Sequence, residues 1–373
     1  MMNTLKLALP LALAASLSMA GTGIAETIVY SNYSGPKHSI NELALPPWFE
    51  AVKTATNGEL DFQLVTGGQL ITARETAAGV GEGIADMGML VPAFAPAVLP
   101  SMATMWATLV FGSDVVAIGG AAMETMLLDC PSCKAELEKA NLVAFAGYTT
   151  TPYMLMCTKK VTTLADMKGL KVRASGSSVK MMEMAGATPV AMNPADGATA
   201  MQRGTVDCVL GIVNWLENYG YQDVAKHLLD FSMGAVGPVL HGLMNRDTWN
   251  GLSDAHKQAV VDAAPMLTAR GTLEAYYEVD QEVLRTLDER GVARHAGGEG
   301  LDEMVNAYQE AAREIVIAQM KSLGLEDPGA VIDAYQKNLE KWRKLSPEID
   351  HDSTKFAAAL KREVYDKLTI NDY

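Results

Sequence analysis

Residues 26–65 read ETIVYSNYSGPKHSINELALPPWFEAVKTATNGELDFQLV, and residues 72–90 read TARETAAGVGEGIADMGML. ETIVYSNY alternates as a strand, SGPKHS makes a loop, and INELALPPWFEAVKTATNG carries helical spacing that ends at Gly58. ELDFQLVTGG reads as a second strand. The later stretch gives a helix, a glycine stop and a short apolar strand. The order β-α-β-α-β requires a mainly parallel sheet covered by helices, so the fold class is α/β.

A second series begins near residue 141: NLVAFAGY and TPYMLMCTKK as strands, then TTLADMKG as a short helix with a capping box at Thr163 and Asp166. LKVRA is a strand, SSVKMMEMAG a helix and ATPVAM a strand. NPADGATAMQRG is a helix stopped by Gly204, VDCVLG a strand, and NWLENYGYQDVAKHL a helix. This is a second α/β lobe. VGPVLHGLMN then leads as an apolar strand toward a helix start at Ser253. Helical spacing persists from Asp254 to Arg290, interrupted only by Pro265 and Gly271. Such a helix would reach ~55 Å, longer than one domain is wide, and is expected to lie across both lobes. The tail from Gly300 to Leu368 is helix-rich and charged.

The 373 residues are 49% hydrophobic, enough for a sizeable core and more than one lobe. Residues 1–25 combine Lys6, an apolar stretch from Leu7 to Ala20 and small residues at Gly23 and Ala25, the pattern of a secretory signal cut after Ala25. The apolar stretch is shorter than the roughly 20 residues of a membrane span and is broken by Pro10, so export to the periplasm without stable membrane insertion is expected. Thirty Lys and Arg are dispersed among 44 acids, for a net charge of -14, which speaks against nucleic acid as a partner. The same negative field opposes anion capture unless a local, buried cation overrides it.

One such cation stands out. In LKVRASGSSVK, Arg173 sits at a strand end, before a small-residue loop and a helix whose first turn holds Ser177 and Ser178. Unpaired N–H groups of that turn face the space Arg173 can enter, and ligands of open α/β sheets bind at the carboxyl ends of strands. A guanidinium grips a carboxylate with two parallel hydrogen bonds. From local sequence alone, an ion pair with Asp166 or Glu183 is an equal alternative. Four cysteines remain, and in an oxidising compartment an even count favours pairing. Cys130 and Cys133, in CPSC, could close a small loop, act as a redox pair or bind metal. CPSC follows one helical stretch and precedes another, which favours a structural staple or inert turn; no second CxxC completes a zinc site.

The span TLADMKGLKVRASG, followed by AGATPVAM and AMQRGTVDCVLG, resembles the solute-binding proteins of tripartite ATP-independent periplasmic (TRAP) transporters, the DctP family. ATNGELDFQLVTGGQL and TARETAAGVGEGIADMG look like that family's first lobe, and the resemblance covers essentially the whole mature chain. It implies two α/β lobes joined by crossing strands near Tyr148–Tyr153 and Gly237–Leu243, a long helix spanning both, and closure around one small organic acid. It also implies delivery to TRAP permease subunits and no catalytic residue, cofactor or metal. On this basis lobe I comprises residues 26–149 and about 238–285, lobe II residues 150–237 and about 286–345, and 346–373 form a C-terminal helical tail.

Arg173 occupies the place of the family's carboxylate-holding arginine. Members that bind sialic acid carry a further arginine where this chain has Tyr153, and an asparagine where it has Gly211, so a sugar acid is disfavoured. One carboxylate with an apolar or aromatic body fits better than a dicarboxylate. Cys208 stands where the family has glycine, and it is expected to be bridged to Cys157 on the strand leaving the crossover. Further candidate contacts are Ser177, Asn193, Asn214, Trp215, Tyr33, His38 and Trp106. Trp215 as core packing and His38 as a solvated or capping residue are the plainer alternatives.

An exported hydrolase is the main competing class, but GxSxG, HExxH and the P-loop pattern are absent and the histidines lack ligand spacing. A carboxylate-binding protein serving a sensor kinase would use the same fold.

Overall fold

The computed structural model describes residues 26–110 and 112–373; the expected signal at 1–25 lies outside them. Among the described residues eleven strands form two sheets. The first contains β1 (Glu26–Ser31), β2 (Leu60–Val65), β3 (Met87–Leu90), β4 (Leu142–Tyr148) and β10 (Val239–Asn245), in the order β2-β1-β3-β10-β4. β1 pairs in parallel with β2 and β3, as the β-α-β-α-β pattern requires. β10 enters antiparallel between β3 and β4, so the sheet is mixed.

The second sheet holds β5 (Met154–Cys157), β6 (Lys171–Arg173), β7 (Thr188–Val190), β8 (Cys208–Gly211), β9 (His227–Asp230) and β11 (Ala293–Ala296). Their order is β11-β9-β5-β8-β6-β7. The chain crosses between sheets from β4 to β5 and back from β9 to β10. The two crossings are zipped together: Thr150 N donates to Val236 O, Tyr153 N to Gly234 O, and Val236 N to the Thr150 hydroxyl. Val110 and Ala235 form a further bridge at the same place.

Two elements differ from the sequence reading. The helix expected through residue 228 stops after Trp215–Asn218, because Gly220 adopts φ +68°, and HLLD becomes β9 between β5 and β11. β11 itself carried no recognisable pattern. Its four residues are stabilised as a strand by pairing with β9, and none of them is fully buried.

The long helix runs unbroken from Asp254 to Arg285, as Asp254–Ala269, wider π-helical turns over Arg270–Glu278, and Val279–Arg285. It accommodates Pro265 and Gly271 and ends five residues before the expected Arg290. Its first part packs on β4 and on the helix Leu45–Ala55. Its last part reaches the second lobe, where Asp280 accepts a hydrogen bond from Asn214 N. Gly271 is needed where the helix meets β4 and β10, since a Cβ there would lie 2.7 Å from His241 Nε2.

The C-terminal region corrects the expected division of the chain. The helix Pro328–Ile349, most of which was expected with the second lobe, lies against Val115–Glu124 of the first. Trp342 fills the space over Gly120, where a Cβ would come within 2.1 Å of the indole, and donates to Glu124. The tail helix Ser353–Glu363 packs on the long helix, and the Tyr365 hydroxyl donates to Phe145 O of β4. A large apolar face finds its burial on the first lobe because that lobe presents Gly120 where the indole must approach. No helix among the described residues is long and apolar enough to cross a membrane.

Both cysteine pairs are disulfides. Cys157 and Cys208 join facing positions of β5 and β8 in the second sheet. Cys130 and Cys133 close the start of the helix Pro131–Lys139, the structural staple expected from the flanking helices.

Candidate functional site

Arg173 ends β6 at the carboxyl edge of the second sheet and is 1% exposed. Burying a guanidinium without a partner is costly, so its contacts are informative. Its Nε donates to Met192 O at 3.0 Å and its Nη1 to Leu210 O at 3.3 Å. Neither acid offered by the local sequence reaches it. Asp166 caps its own helix by accepting from Thr162 N and Thr163 N, and Glu183 pairs with Lys180. Among the described residues Arg173 has no carboxylate partner. Two backbone carbonyls fix its plane and leave the other N–H donors to the cavity.

The guanidinium lies 5.2 Å from the centroid of the Trp215 ring, a cation-π arrangement that further orients it. Trp215 lies over Gly211. A Cβ at Gly211 would come 2.0 Å from Trp215 Cζ3, so the absent side chain is the space the indole occupies. Gly211→Ala is expected to displace the indole from beneath Arg173. It should cost about 1–3 kcal/mol by overpacking and weaken ligand binding with it. Calorimetric unfolding together with near-ultraviolet circular dichroism checks this; an unchanged tryptophan signal at full stability would refute it.

The cavity between the lobes encloses about 380 Å³ free of protein atoms, its mouth included. From the first lobe come Tyr33, Phe94, Trp106, Tyr148 and, on the long helix, Tyr276. From the second come Tyr153, Arg173, Ser175, Trp215 and Tyr219. Among these described residues the wall holds no aspartate or glutamate. Burial pushes the hydroxyls of Tyr33, Tyr148, Tyr153, Tyr219 and Tyr276 up from their ordinary range, so all are neutral and able to donate. The Tyr148 and Tyr276 hydroxyls are 2.9 Å apart. The Trp215 indole N–H is buried without a protein partner. The two lobes also touch, Asn218 Nδ2 donating to the Ser39 hydroxyl at 3.2 Å, and Trp106 lies against Gly176.

The structure thus brings together Arg173, Tyr153, Trp215, Tyr33 and Trp106, with Gly211 directly behind Trp215. Four other candidates stand off the wall. His38 is buried behind Tyr219 and Tyr276, its ring centroid 5.6 and 6.1 Å from theirs, and burial lowers its pKa to about 4. It is therefore neutral, and neither solvated nor lining. Asn214 has its N–H on Asp280 and its side-chain oxygen on Asn218. Asn193 caps its own helical turn by accepting from Ala195 N. Ser177 is buried with its carbonyl accepting from the Tyr308 hydroxyl, and Ser175 takes its place at the cavity. Tyr148, Tyr219 and Tyr276 escaped the sequence reading. The only available signal was tyrosine near a strand end or on the long helix.

A larger groove, about 1040 Å³, lies between the helices Leu301–Ser322 and Pro328–Ile349. Its Arg313 is paired with Asp333, and it lacks the converging aromatic wall. The inter-lobe cavity is the better candidate.

Two mixed sheets joined by paired crossings, with an arginine buried in the closed cleft, define a two-lobed ligand-capturing protein. A sequence model of the DctP family, the bacterial extracellular solute-binding proteins of family 7, matches residues 31–319, and the chain belongs to that family. A solute-binding protein of Roseobacter denitrificans is 24% identical over 192 residues, which is 49% of this chain; the match spans about half (54%) of that relative's length. A TRAP solute-binding protein of an unidentified marine microbe, specific for aromatic acid ligands and crystallised with 3-hydroxybenzoate, superposes with a TM-score of 0.76. It is 20% identical, and the match covers 86% of this chain and 99% of the other. A TRAP protein of Bordetella bronchiseptica with bound mandelate gives a TM-score of 0.71 at 21% identity, over 85% and 99% of the two chains. A pyroglutamic-acid-binding solute receptor of Bordetella pertussis gives 0.72 at 19%, over 84% and 100%. At these identities the likeness establishes the two-lobed fold.

Proposed function

We propose that this protein captures a small monocarboxylate with an aromatic or apolar body between its lobes and delivers it to the membrane subunits of a TRAP transporter. The observation that carries this reading is Arg173, buried, without a carboxylate partner, and facing a cavity of aromatic residues and neutral donors. A ligand carboxylate supplies the missing counter-charge, and the unpartnered Trp215 N–H is a further donor beside it. The absence of acids from the described wall disfavours ligands that carry an ammonium group. Aromatic acids, mandelate and pyroglutamate in structural relatives support the same class.

Capture works by closure. As the lobes shut, water leaves, and each contact to the carboxylate strengthens in the lower dielectric. The sequence pattern of residues 1–25 supports export to the periplasm, where the two disulfides are stable. Titration calorimetry with benzoate, 3-hydroxybenzoate, mandelate and pyroglutamate, against succinate and phenylalanine, tests the reading. Single-ring acids are expected to bind at one site and the last two not to bind. Binding of succinate alone, or of no acid, would overturn it.

A further inference from the structure

Asp280 is a buried carboxylate that the capture scheme leaves unused. It lies on the last segment of the long helix, is 3% exposed, and has no ion-pair partner among the described residues. Its Oδ1 accepts from Asn214 N at 2.8 Å, and the Thr151 hydroxyl donates to Oδ2. These donors come from different places. Thr151 belongs to the crossing between β4 and β5. Val213 and Asn214 form the turn that starts the helix Trp215–Asn218 and so presents the indole under Arg173. One carboxyl thereby joins the long helix, the inter-lobe crossing and the cavity wall.

We propose that Asp280 is a positioning residue for ligand capture, holding the turn that presents Trp215 in register with the crossing and the long helix. This rests on the carboxylate reading above. Burial is the main cause that raises its pKa, to about 7, against the opposing hydrogen bonds from Thr151 and Asn214. No charged side chain contributes to that shift. From the crossing it meets Thr151, and from the turn only N–H groups. Along its own helix Tyr276 is neutral, while Glu282 and Arg285 pair with each other on the exposed face. A carboxyl whose folded pKa is raised contributes stability that is complete below the ordinary carboxylate range and is lost as pH rises through about 7. The proposal requires that opening of the lobes admit water to Asp280, which is 3% exposed in the present form. Closure around an ionised ligand then takes up a proton, and affinity falls as pH rises.

The test uses benzoate and the full mature chain. Between pH 6 and 8 the wild-type affinity for benzoate is expected to fall roughly fivefold, below the limit of tenfold per pH unit for one proton. Asp280→Asn reproduces the protonated acid: its oxygen accepts from Asn214 N and its amide donates to Thr151. It is expected to bind benzoate with no change over that range, whereas Asp280→Ala weakens binding throughout. A flat wild-type profile, or an unaltered slope in Asp280→Asn, would overturn the proposal. Calorimetry of the wild type in two buffers of different ionisation enthalpy gives an independent reading at pH 7. Proton uptake on binding is expected, and none would refute the proposal even if the variants fail to fold. If benzoate binds at no pH, the carboxylate reading fails instead. Asp280 is then judged by the pH dependence of unfolding, which should be steeper in the wild type than in Asp280→Asn.

Discussion

Arg173→Ala is expected to abolish measurable stabilisation by benzoate at a concentration where the unaltered protein gains about 2.7 kcal/mol, a hundredfold excess over its dissociation constant. Removing one partner of a buried, hydrogen-bonded charge pair costs roughly 2–5 kcal/mol, or about 30- to several-thousand-fold in affinity. The expectation follows from geometry. Arg173 is the only cation among the described residues that line the cavity, and its plane is fixed by Met192 O and Leu210 O. Arg173→Lys separates charge from shape: it keeps a cation but loses the planar fork and the two carbonyl anchors, and is expected to recover only part of the binding. In the ligand-free alanine variant the buried Leu210 O and the half-buried Met192 O lose their donor, which costs about 1–3 kcal/mol, while removal of an uncompensated buried charge offsets that loss. Calorimetric binding and unfolding on the same samples distinguish these effects. Undiminished benzoate binding by Arg173→Ala would exclude this arginine as the anchor.

Removing the Cys157–Cys208 bridge is expected to destabilise the protein by about 4 kcal/mol. The pair is separated by 51 residues, and the entropy of closing such a loop in the unfolded chain gives that magnitude. For a chain of this size the change corresponds to a fall in Tm of roughly 5 °C. The bridged segment contains β6, β7 and Arg173, and the bridge joins β5 to β8, the strand on which β6 also pairs. Loosening β5 and β8 should therefore weaken benzoate binding as well as stability. The double variant Cys157→Ala/Cys208→Ala avoids leaving a reactive thiol and tests both. The equivalent change at Cys130 and Cys133 closes a separation of only 3 residues, so the same argument assigns it a much smaller effect. If the two double variants lost equal stability, the loop-entropy explanation would be wrong.

The opening β-α-β-α-β series and the long helix were legible because both reflect a regular period: alternation for strands and helical spacing sustained past Pro265. β9 and β11 were not. Each has four residues, and pairing with neighbours distant in sequence made them strands. Pairing is equally why the return of Pro328–Ile349 to the first lobe was missed. Its apolar face predicts burial but not where, and the site was chosen by Gly120, under Trp342, on a helix more than two hundred residues earlier.

Within the candidate site the division is similar. Arg173 could be singled out because a lone guanidinium in an acidic chain, at a strand end before small residues, has few roles. Whether it paired with Asp166 or Glu183 was undecidable locally and was settled by where those acids turn. Tyr148 and Tyr276 meet across 128 residues of sequence, and Gly211 makes room for an indole four residues later. Composition and periodicity determine the α/β lobes and the spanning helix and single out the arginine, because these depend on neighbours along the chain. The aromatic wall, the unpaired state of Arg173 and the joining of hinge to wall at Asp280 depend on neighbours in space. Only the packing of two lobes and a shared helix could decide them.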